Sequence, residues 1–454
     1  MVYNELLFFL GLMPVTVLVS FLDRSAEYKN LILILTSVIF ISWGRPMTVC
    51  LLFLSFIADY LIGLGISRFE RAGLPLLLLD LAVNVSALLI FSHGCIFPEG
   101  SALSLSSAFI PVGAAFYTAK NFSYCFDVYT GRCKAERNIF CLMTYSVSYH
   151  FLLAGPVVRY GDVEPYIRKR SVTGKSLNDG LTRFIIGLGK TVILAQAFAR
   201  LKQAGLEHKD ITLAGSWIGM ISFFAECWFS FTGLCDMAKG LGLMNGFEYK
   251  DNYRELSVGE LIGGFLKSAN TTLIELFTDV CRALSMGNAG VYAFLLGICC
   301  PLAALWYRIS KPYLAVGIAL GVIVLLEQLF FKRFAEAIPV LVKAVYVLLV
   351  SGLLLGGIYF TKLEDYKTWI HSLFGTGNQY TMSIALENAL AGNIWLIVIA
   401  FFAACAPAKK LVLKGIERLE KSSEQGMAVS RLTKTILTAA VLVACVITLA
   451  AEAV

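Results

Sequence analysis

The chain has 454 residues, of which 58% are hydrophobic and only 15% are charged, and its formal net charge is +7. A soluble domain is normally about 45–50% apolar and about 25% charged, so the composition excludes an ordinary soluble protein. The basic excess does not indicate a nucleic-acid partner, because Lys and Arg cluster in short loops between apolar runs, as topology signals do.

Apolar stretches of roughly 20 residues recur along the chain, and each is long enough to cross a hydrocarbon core of about 30 Å. Only helices fit, because lipid cannot satisfy open backbone groups and no alternating strand pattern occurs. We therefore predict an all-α membrane protein with about 11 to 13 spans, contained in a single domain over residues 1–454. The stretches lie at 2–22, 31–45, 47–67, 74–93, 105–126, 139–158, 181–199, 211–238, 258–280, 290–307, 312–331, 338–360, 391–408 and 433–452.

The basic loops predict the orientation. Segment 408–434 contains seven Lys or Arg against three Glu, which is typical of a cytoplasmic loop. Segment 362–390 is nearly neutral and is expected to face outward. The C-terminus is then expected to lie outside, and membrane lipid is expected to surround the spans.

The twelve cysteines are scattered through apolar segments and contain no CxxC pair. This pattern is typical of small buried apolar residues rather than of a metal site. No metal and no tightly bound organic cofactor is expected.

Several motifs follow one another in a fixed order. The first is Ile110-Pro111-Val112-Gly113, which opens a helix ending in Tyr124-Cys125-Phe126-Asp127-Val128-Tyr129. The later motifs are Leu153-Ala154-Gly155-Pro156-Val157-Val158-Arg159-Tyr160, Gly187-Leu188-Gly189-Lys190, Trp228-Phe229-Ser230-Phe231-Thr232-Gly233-Leu234-Cys235-Asp236-Met237-Ala238 and Gly356-Gly357-Ile358-Tyr359-Phe360.

Taken together, these motifs resemble the membrane-bound O-acyltransferases (MBOAT), in the branch that O-acetylates alginate and other bacterial polysaccharides. The resemblance implies an MBOAT-like ring of tilted transmembrane helices around a central tunnel. It also implies an acyl thioester, acetyl-CoA or an acyl-carrier protein, as co-substrate, and an outer-face partner protein that completes the transfer to a polymer.

The same resemblance places Tyr307 and Leu266 where the family carries its two histidines, and Glu327 where it commonly carries a glutamate. In the family, a buried histidine is the general base for the acceptor hydroxyl, a task that suits a pKa near neutrality. A phenol titrates at about 10 in water, so Tyr307 could donate a hydrogen bond but would be a poor base. We therefore interpret the chain as a catalytically degenerate member of the family.

Other residues are candidates for a site. His150, which is expected in an apolar helix, is the first histidine that could replace the missing base, and His371 is the second. Asp236 is costly inside an apolar segment and is expected to have a structural partner, with a direct role in the site as the alternative. Asp127 is expected to be a solvated helix end and Lys190 to extend its amine towards water. Further candidates that would line a tunnel or bind substrate are Arg159, Ser230, Asn252 and Trp306.

Three functions remain open from the sequence. The first is a degenerate member of a polymer O-acylation system. The second is an active acyltransferase that moves an acyl group from a cytoplasmic thioester to an outer acceptor through a non-standard site. The third is a lipid-linked sugar flippase or polymerase, which would also be a long bundle of apolar helices.

Overall fold

The protein is described from a computed structural model that covers residues 5, 7–22, 24–43, 46–93, 113–152, 157–207, 211–255, 260–331, 334, 336–376, 381–404, 410, 414–416, 418 and 424–453. Helix makes up 83% of the model, and the described residues form no strand. The prediction of an all-α membrane protein is therefore confirmed.

Eighteen α-helices are named here in chain order within the described part of the chain. They are α1 (Met13–Phe21), α2 (Ala26–Ser42), α3 (Pro46–Arg68), α4 (Gly73–His93), α5 (Ala114–Tyr129), α6 (Ile139–Val147), α7 (Tyr160–Arg168), α8 (Gly174–Gly189), α9 (Gln196–Leu206), α10 (Leu213–Met244), α11 (Ile262–Ala269), α12 (Thr271–Ser285), α13 (Ala289–Tyr307), α14 (Lys311–Leu326), α15 (Val340–Tyr359), α16 (Leu363–Leu373), α17 (Ile384–Ala404) and α18 (Glu424–Ala453).

Shorter helical segments extend or link these helices. Three π-helical segments are Phe8–Leu12, Lys190–Ala195 and Glu327–Phe331. Two 3-10 turns are Glu70–Ala72 and Tyr149–Phe151.

Eight helical segments among the described residues are long and apolar enough to cross a membrane, and two shorter apolar helices accompany them. The protein is therefore an integral membrane protein. The eight are Val49–Arg68, Gly174–Leu206, Leu213–Met244, Ala289–Tyr307, Lys311–Phe331, Val340–Tyr359, Ile384–Ala404 and Ala428–Ala451, and the two shorter ones are Phe8–Phe21 and Gly73–Leu89. The total of 11 to 13 spans stays a prediction, because part of the chain lies outside the described residues.

Local sequence sets the helix ends around α12 and α13. The side chain of Asn270 accepts a hydrogen bond from the backbone N–H of Leu273 and caps α12. The backbone becomes left-handed at Met286 and Gly287, which ends that helix because the left-handed region interrupts the helical ladder. Asn288 then caps α13 through the N–H groups of Gly290 and Val291.

The chain forms two compact units. The first contains Met1–Gly187, Leu234–Asn252 and Leu449–Val454. Its core is rich in fully buried tyrosines, namely Tyr117, Tyr124, Tyr145, Tyr149 and Tyr160. Within this unit, Gly180 of α8 lies against Gly240 of α10 so closely that a Cβ on Gly180 would lie 2.7 Å from the Gly240 carbonyl oxygen. Small residues thus let these two backbones touch, as is common between membrane helices.

The second unit contains Leu188–Gly233 and Tyr253–Thr448. Its α13 and α14 pack backbone to backbone. A Cβ on Gly297 of α13 would lie 3.2 Å from the carbonyl oxygen of Gly321 of α14. The prediction of a single domain is not decided by this division into units.

Three segments differ in detail from what the sequence predicts or lie beyond the described residues. The apolar run at 139–158 is not one helix, because α6 ends at Val147, Ser148 is extended, and a 3-10 turn follows at Tyr149–Phe151. Segment 362–390 contains α16 and the start of α17 rather than only loop. Most of residues 408–423 lies outside the described residues, whereas residues 424–434, the last part of the basic segment 408–434, belong to α18.

Candidate functional site

A cavity of about 750 Å³ lies inside the second unit, lined by residues of α10 to α15 and of the π-helical turn after α14. Leu266 of α11 and Tyr307 of α13 both line it. The two positions that the resemblance aligns with family histidines are 41 residues apart in sequence, yet the fold brings them to one cavity. This cavity is our candidate functional site.

The described residues that line this cavity are mostly apolar and include no histidine and no carboxylate. Two cations, Lys267 and Arg282, belong to the wall, together with the hydroxyl groups of Thr278, Tyr292 and Tyr313. An apolar pocket with a few polar groups is typical of a small-molecule site. The lining residues offer donors and cations but no group that is a good general base near neutral pH.

Tyr307 is the last residue of α13 and is 66% exposed. Its ring stacks on Tyr313, with ring centroids 6.0 Å apart and planes inclined by 19°. Trp306, the residue before it, is half-buried and is not part of the cavity wall. The position of Tyr307 thus suits contact with a ligand in the cavity, whereas Trp306 is not brought into the site.

Glu327 anchors the helix that carries Leu266. The buried carboxylate accepts hydrogen bonds from the backbone N–H of Ile262 at 2.8 Å and of Gly263 at 3.0 Å. The hydroxyl of Tyr346 donates a third hydrogen bond at 2.9 Å. Since α11 has no side-chain cap from its own N-cap residue, Glu327 supplies the acceptor that its first N–H groups need.

Thiols also line the cavity, namely Cys227 of α10 and Cys299 and Cys300 of α13. The sulfur atoms of Cys281 and Cys299 lie 3.3 Å apart and both cysteines are free thiols. Of the ten described cysteines, five are buried, three are half-buried, and Cys50 and Cys227 are exposed, so the interpretation as small buried apolar residues fits five of them.

Three other residues of the second unit that the sequence singled out lie outside the cavity wall. Ser230 of α10 is half-buried and does not line it. Lys190 donates a hydrogen bond from its Nζ to the hydroxyl of Tyr253 at 3.0 Å, and so has a partner within the protein rather than water alone. His371 is exposed near the end of α16.

In the first unit, Asp236 has the structural partner that was expected. Arg183 Nε donates to a carboxylate oxygen of Asp236 at 3.0 Å, and Arg183 Nη2 lies 2.9 Å from Asp251. Nearby, the amide of Asn252 donates to the Cys235 sulfur at 3.6 Å. These contacts tie α8 to α10 and to the segment that follows α10, so Asp236 and Asn252 are structural here.

Asp127 was predicted to be a solvated helix end, and this is wrong. Its carboxylate is 4% exposed and accepts a hydrogen bond from Arg159 Nη1 at 2.7 Å. Arg159 also donates to the hydroxyl of Ser123. Arg159 lies immediately before α7 and reaches the end of α5, so the Asp127 carboxylate is paired rather than hydrated.

His150 was predicted within a helix, and this is also wrong, because it lies in the 3-10 turn Tyr149–Phe151. The side chain is fully buried, its ring centroid lies 5.0 Å from that of Phe247, and neither ring nitrogen has a hydrogen-bond partner. The guanidinium of Arg170 lies over the ring of Phe247, 4.6 Å from its centroid. Burial lowers the pKa of Arg170 to about 10. A buried histidine beside a buried cation is held neutral.

The sequence did not indicate that five buried polar residues of the first unit lie together. Asp59, Asp80, Asn84, Lys120 and Asn121 are all buried. Their signal was a charged residue inside an apolar run, which is expensive in a membrane. Only the fold shows that these residues meet.

The comparisons with known proteins find relatives that are named as O-acetylating enzymes. Over 421 residues the chain is 26% identical to the probable alginate O-acetylase AlgI of Pseudomonas aeruginosa, covering 88% of this chain and 80% of the relative. It is 27% identical over 345 residues to the probable alginate O-acetylase AlgI of Pseudomonas syringae pv. tomato, covering 72% of this chain and 66% of the relative. It is 25% identical over 293 residues to the peptidoglycan O-acetyltransferase of Helicobacter pylori, covering 56% of each. No family model matches the chain.

Proposed function

We propose that the chain is a catalytically degenerate protein in a system that O-acetylates a cell-surface polysaccharide or cell-wall polymer. The proposal starts from its homology to O-acetylation enzymes of the membrane-bound O-acyltransferase (MBOAT) type. The one observation that carries the degeneracy is the wall of the 750 Å³ cavity, where Leu266 and Tyr307 lie and where no described residue is a histidine.

The physical argument concerns the proton of the acceptor hydroxyl. Acyl transfer from a thioester to an alcohol needs a group that removes this proton as the oxygen attacks. Leu266 has no titratable group and a phenol is too weak a base at neutral pH. A hydrogen-bond donor such as Tyr307 could stabilise an oxyanion, but this alone does not replace the base.

The surrounding system is part of the same proposal. An acetyl-CoA or acyl-carrier thioester would be the donor, and an outer-face partner protein would complete transfer to the polymer. The chain would lie in the bacterial cytoplasmic membrane with 408–434 inside and its C-terminus outside. Labelling of a C-terminal tag in intact cells tests this orientation.

The experiment that tests the function is acetyl transfer from radiolabelled acetyl-CoA by the purified chain, with and without the partner. The wild type is compared with Tyr307→His, Leu266→His and the double variant. Tyr313→His is the matched control, because Tyr313 lines the same cavity without lying at an aligned position. We expect no transfer by the wild type or the control and a gain in the double variant.

Robust transfer by the wild type would contradict the degeneracy. His150→Ala and His371→Ala would then decide whether either histidine is the base of an active enzyme. Gain of activity in Tyr313→His as large as in the double variant would contradict the assignment of the two aligned positions.

A further inference from the structure

Two carboxylates meet in the interior of the first unit. Asp59 of α3 is 2% exposed and Asp80 of α4 is fully buried, and their carboxyl groups lie close enough to share a hydrogen bond when one of them carries a proton. Asp59 also accepts hydrogen bonds from two amides, Asn84 Nδ2 at 2.9 Å and Asn121 Nδ2 at 2.7 Å. Each oxygen of Asp59 thus has a donor, which is the environment of an ionised carboxylate.

Asp80 is in the opposite situation. Neither of its oxygens has a hydrogen-bond donor of good geometry, and the amide oxygen of Asn84, one helical turn further along α4, also has none. The remaining polar contact of Asp80 is the thiol of Cys125. A buried, ionised carboxylate without donors is strongly unfavourable, and more so beside a second negative charge.

The polar network continues from Asp59 to a buried cation. Asn121 Oδ1 accepts a hydrogen bond from the hydroxyl of Ser146 at 3.1 Å. Lys120, which is fully buried, donates from its Nζ to the carbonyl oxygens of Tyr145 at 2.8 Å and Ser146 at 2.9 Å. These hydrogen bonds therefore link the Asp59 carboxylate, through Asn121 and Ser146, to the amine of Lys120.

Other titratable groups that bear on the pair come from α5. They are the thiol of Cys125, which also lies 3.5 Å from the Asp59 carbonyl oxygen, and the phenol of Tyr117, which donates to the Leu52 carbonyl oxygen at 2.8 Å. Both are neutral groups under ordinary conditions. Neither one supplies a positive charge that would allow two ionised carboxylates to touch.

We propose that Asp59 and Asp80 form an intramembrane site that binds one proton, with Asp80 as the neutral acid that donates its O–H to the Asp59 carboxylate. Two carboxylates in direct contact attract each other only when a proton lies between them. Among the described residues, no group of three or more His, Cys, Asp or Glu side chains could hold a metal ion here. Loss of this proton would leave two like charges in contact where α3 packs on α4. Binding of the proton therefore controls how closely these two helices pack. The site does not depend on the proposed acyl-transfer chemistry.

The test is infrared spectroscopy of the full-length chain in lipid nanodiscs at neutral pH. The wild-type minus Asp80→Asn difference spectrum is expected to contain the C=O band of a protonated carboxylic acid, which shifts on exchange into D₂O. Asp236→Asn is the matched control, because Asp236 is equally buried but paired with Arg183. Its difference spectrum is expected to contain carboxylate bands only.

The wild type alone provides a second measurement that does not depend on a folded variant. Its acid band should persist between about pH 5 and pH 8, because burial keeps a neutral acid neutral. Carboxylate bands without an acid band in the wild type minus Asp80→Asn spectrum would overturn the proposal. Carboxylate bands that shift when sodium replaces potassium would overturn the proposal in favour of a cation site. Loss of the acid band in Asp59→Asn but not in Asp80→Asn would overturn the assignment of the proton to Asp80.

Discussion

The carboxylate of Glu327 receives the backbone N–H of Ile262 at 2.8 Å, which joins two residues 65 positions apart. Ile262 is the first residue of α11, and α11 carries Leu266 and Lys267 to the cavity wall. Glu327 therefore holds a wall of the candidate site in place without lining the cavity itself. It is a positioning residue in this chain.

Glu327→Ala is expected to lower the free energy of unfolding by about 2–4 kcal/mol, because it leaves two backbone N–H groups and a phenol without their charged acceptor. Chemical unfolding in detergent measures this. Tyr346→Phe removes only one of the three hydrogen bonds and is expected to cost about 1 kcal/mol. Equal losses in the two variants would show that Glu327 does not hold α11.

The pair of Asp127 with Arg159 gives a second prediction. Removing Arg159 leaves a carboxylate that is 4% exposed and that has lost the guanidinium at 2.7 Å, with Arg132 at 3.8 Å. Arg159→Met is expected to destabilise the protein by about 2–4 kcal/mol, somewhat less than for a fully buried pair, because Arg159 keeps some contact with solvent. Adding Asp127→Asn to Arg159→Met is expected to restore part of the loss, since the unpaired charge is then gone.

The control for this pair is Arg168 with Glu164, one helical turn apart on α7 and largely exposed. Glu164→Gln is expected to change stability by under about 0.5 kcal/mol, because exposed pairs of this kind contribute little. A double variant of Asp127 and Arg159 that is no more stable than Arg159→Met would contradict the ion-pair interpretation. Thermal unfolding in one detergent, at one salt concentration, compares all of these variants.

Gly356 of α15 gives a steric prediction. A Cβ at this position would lie 2.6 Å from the ring of Trp369, which is buried and donates its indole N–H to the Ser216 carbonyl oxygen. Gly356→Ala is expected to destabilise the protein by about 1–3 kcal/mol, because a closely packed ring has no room to move.

Gly392→Ala on α17 is the matched control, since nothing lies within 4 Å of its Cβ position. Alanine has a higher helix propensity than glycine by up to about 1 kcal/mol, so this variant is expected to be neutral or stabilising. A Gly356→Ala protein as stable as Gly392→Ala would show that Trp369 is not packed against α15. Trp369 fluorescence, compared in the two variants, reports on the same contact.

The sequence predicted the helices because the backbone of a long apolar run must satisfy its own hydrogen bonds in lipid, and a helix does this. It also predicted that Asp236 has a partner. The identity of that partner, Arg183, could not be predicted, because 53 residues separate the two and no local pattern links them. Trp369 was expected in an outward loop, but α16 is short and amphipathic, and one face of it is buried by tertiary packing.

Leu266 and Tyr307 were singled out through ordered motifs rather than through periodicity. They lie on different helices, and only the fold shows that both line one cavity. His150 was misplaced because an apolar run of 20 residues predicts a continuous helix, whereas Ser148 turns the chain after nine helical residues. The pair of Asp59 with Asp80 was missed because a charge in an apolar run indicates a cost without indicating the partner.

Cys133 gives a prediction about chemical reactivity. It lies in the loop after α5, beside a cavity of about 990 Å³ that Lys134, Glu136 and Arg168 also line. Burial, with a smaller effect of the Asp127 carboxylate, raises the pKa of the Cys133 thiol to about 12. Only the thiolate reacts with alkylating reagents, so at pH 8 about one Cys133 thiol in 10⁴ is reactive. The rate of iodoacetamide labelling at Cys133 is expected to rise about tenfold per pH unit from pH 8 to pH 10.

The reference is an exposed cysteine, introduced by Lys175→Cys in a chain without other reactive thiols. Its labelling rate should level off near the ordinary cysteine pKa of about 8.5. Labelling of Cys133 that levels off at the same pH as this reference would contradict the raised pKa, and mass spectrometry of the labelled peptides measures both rates.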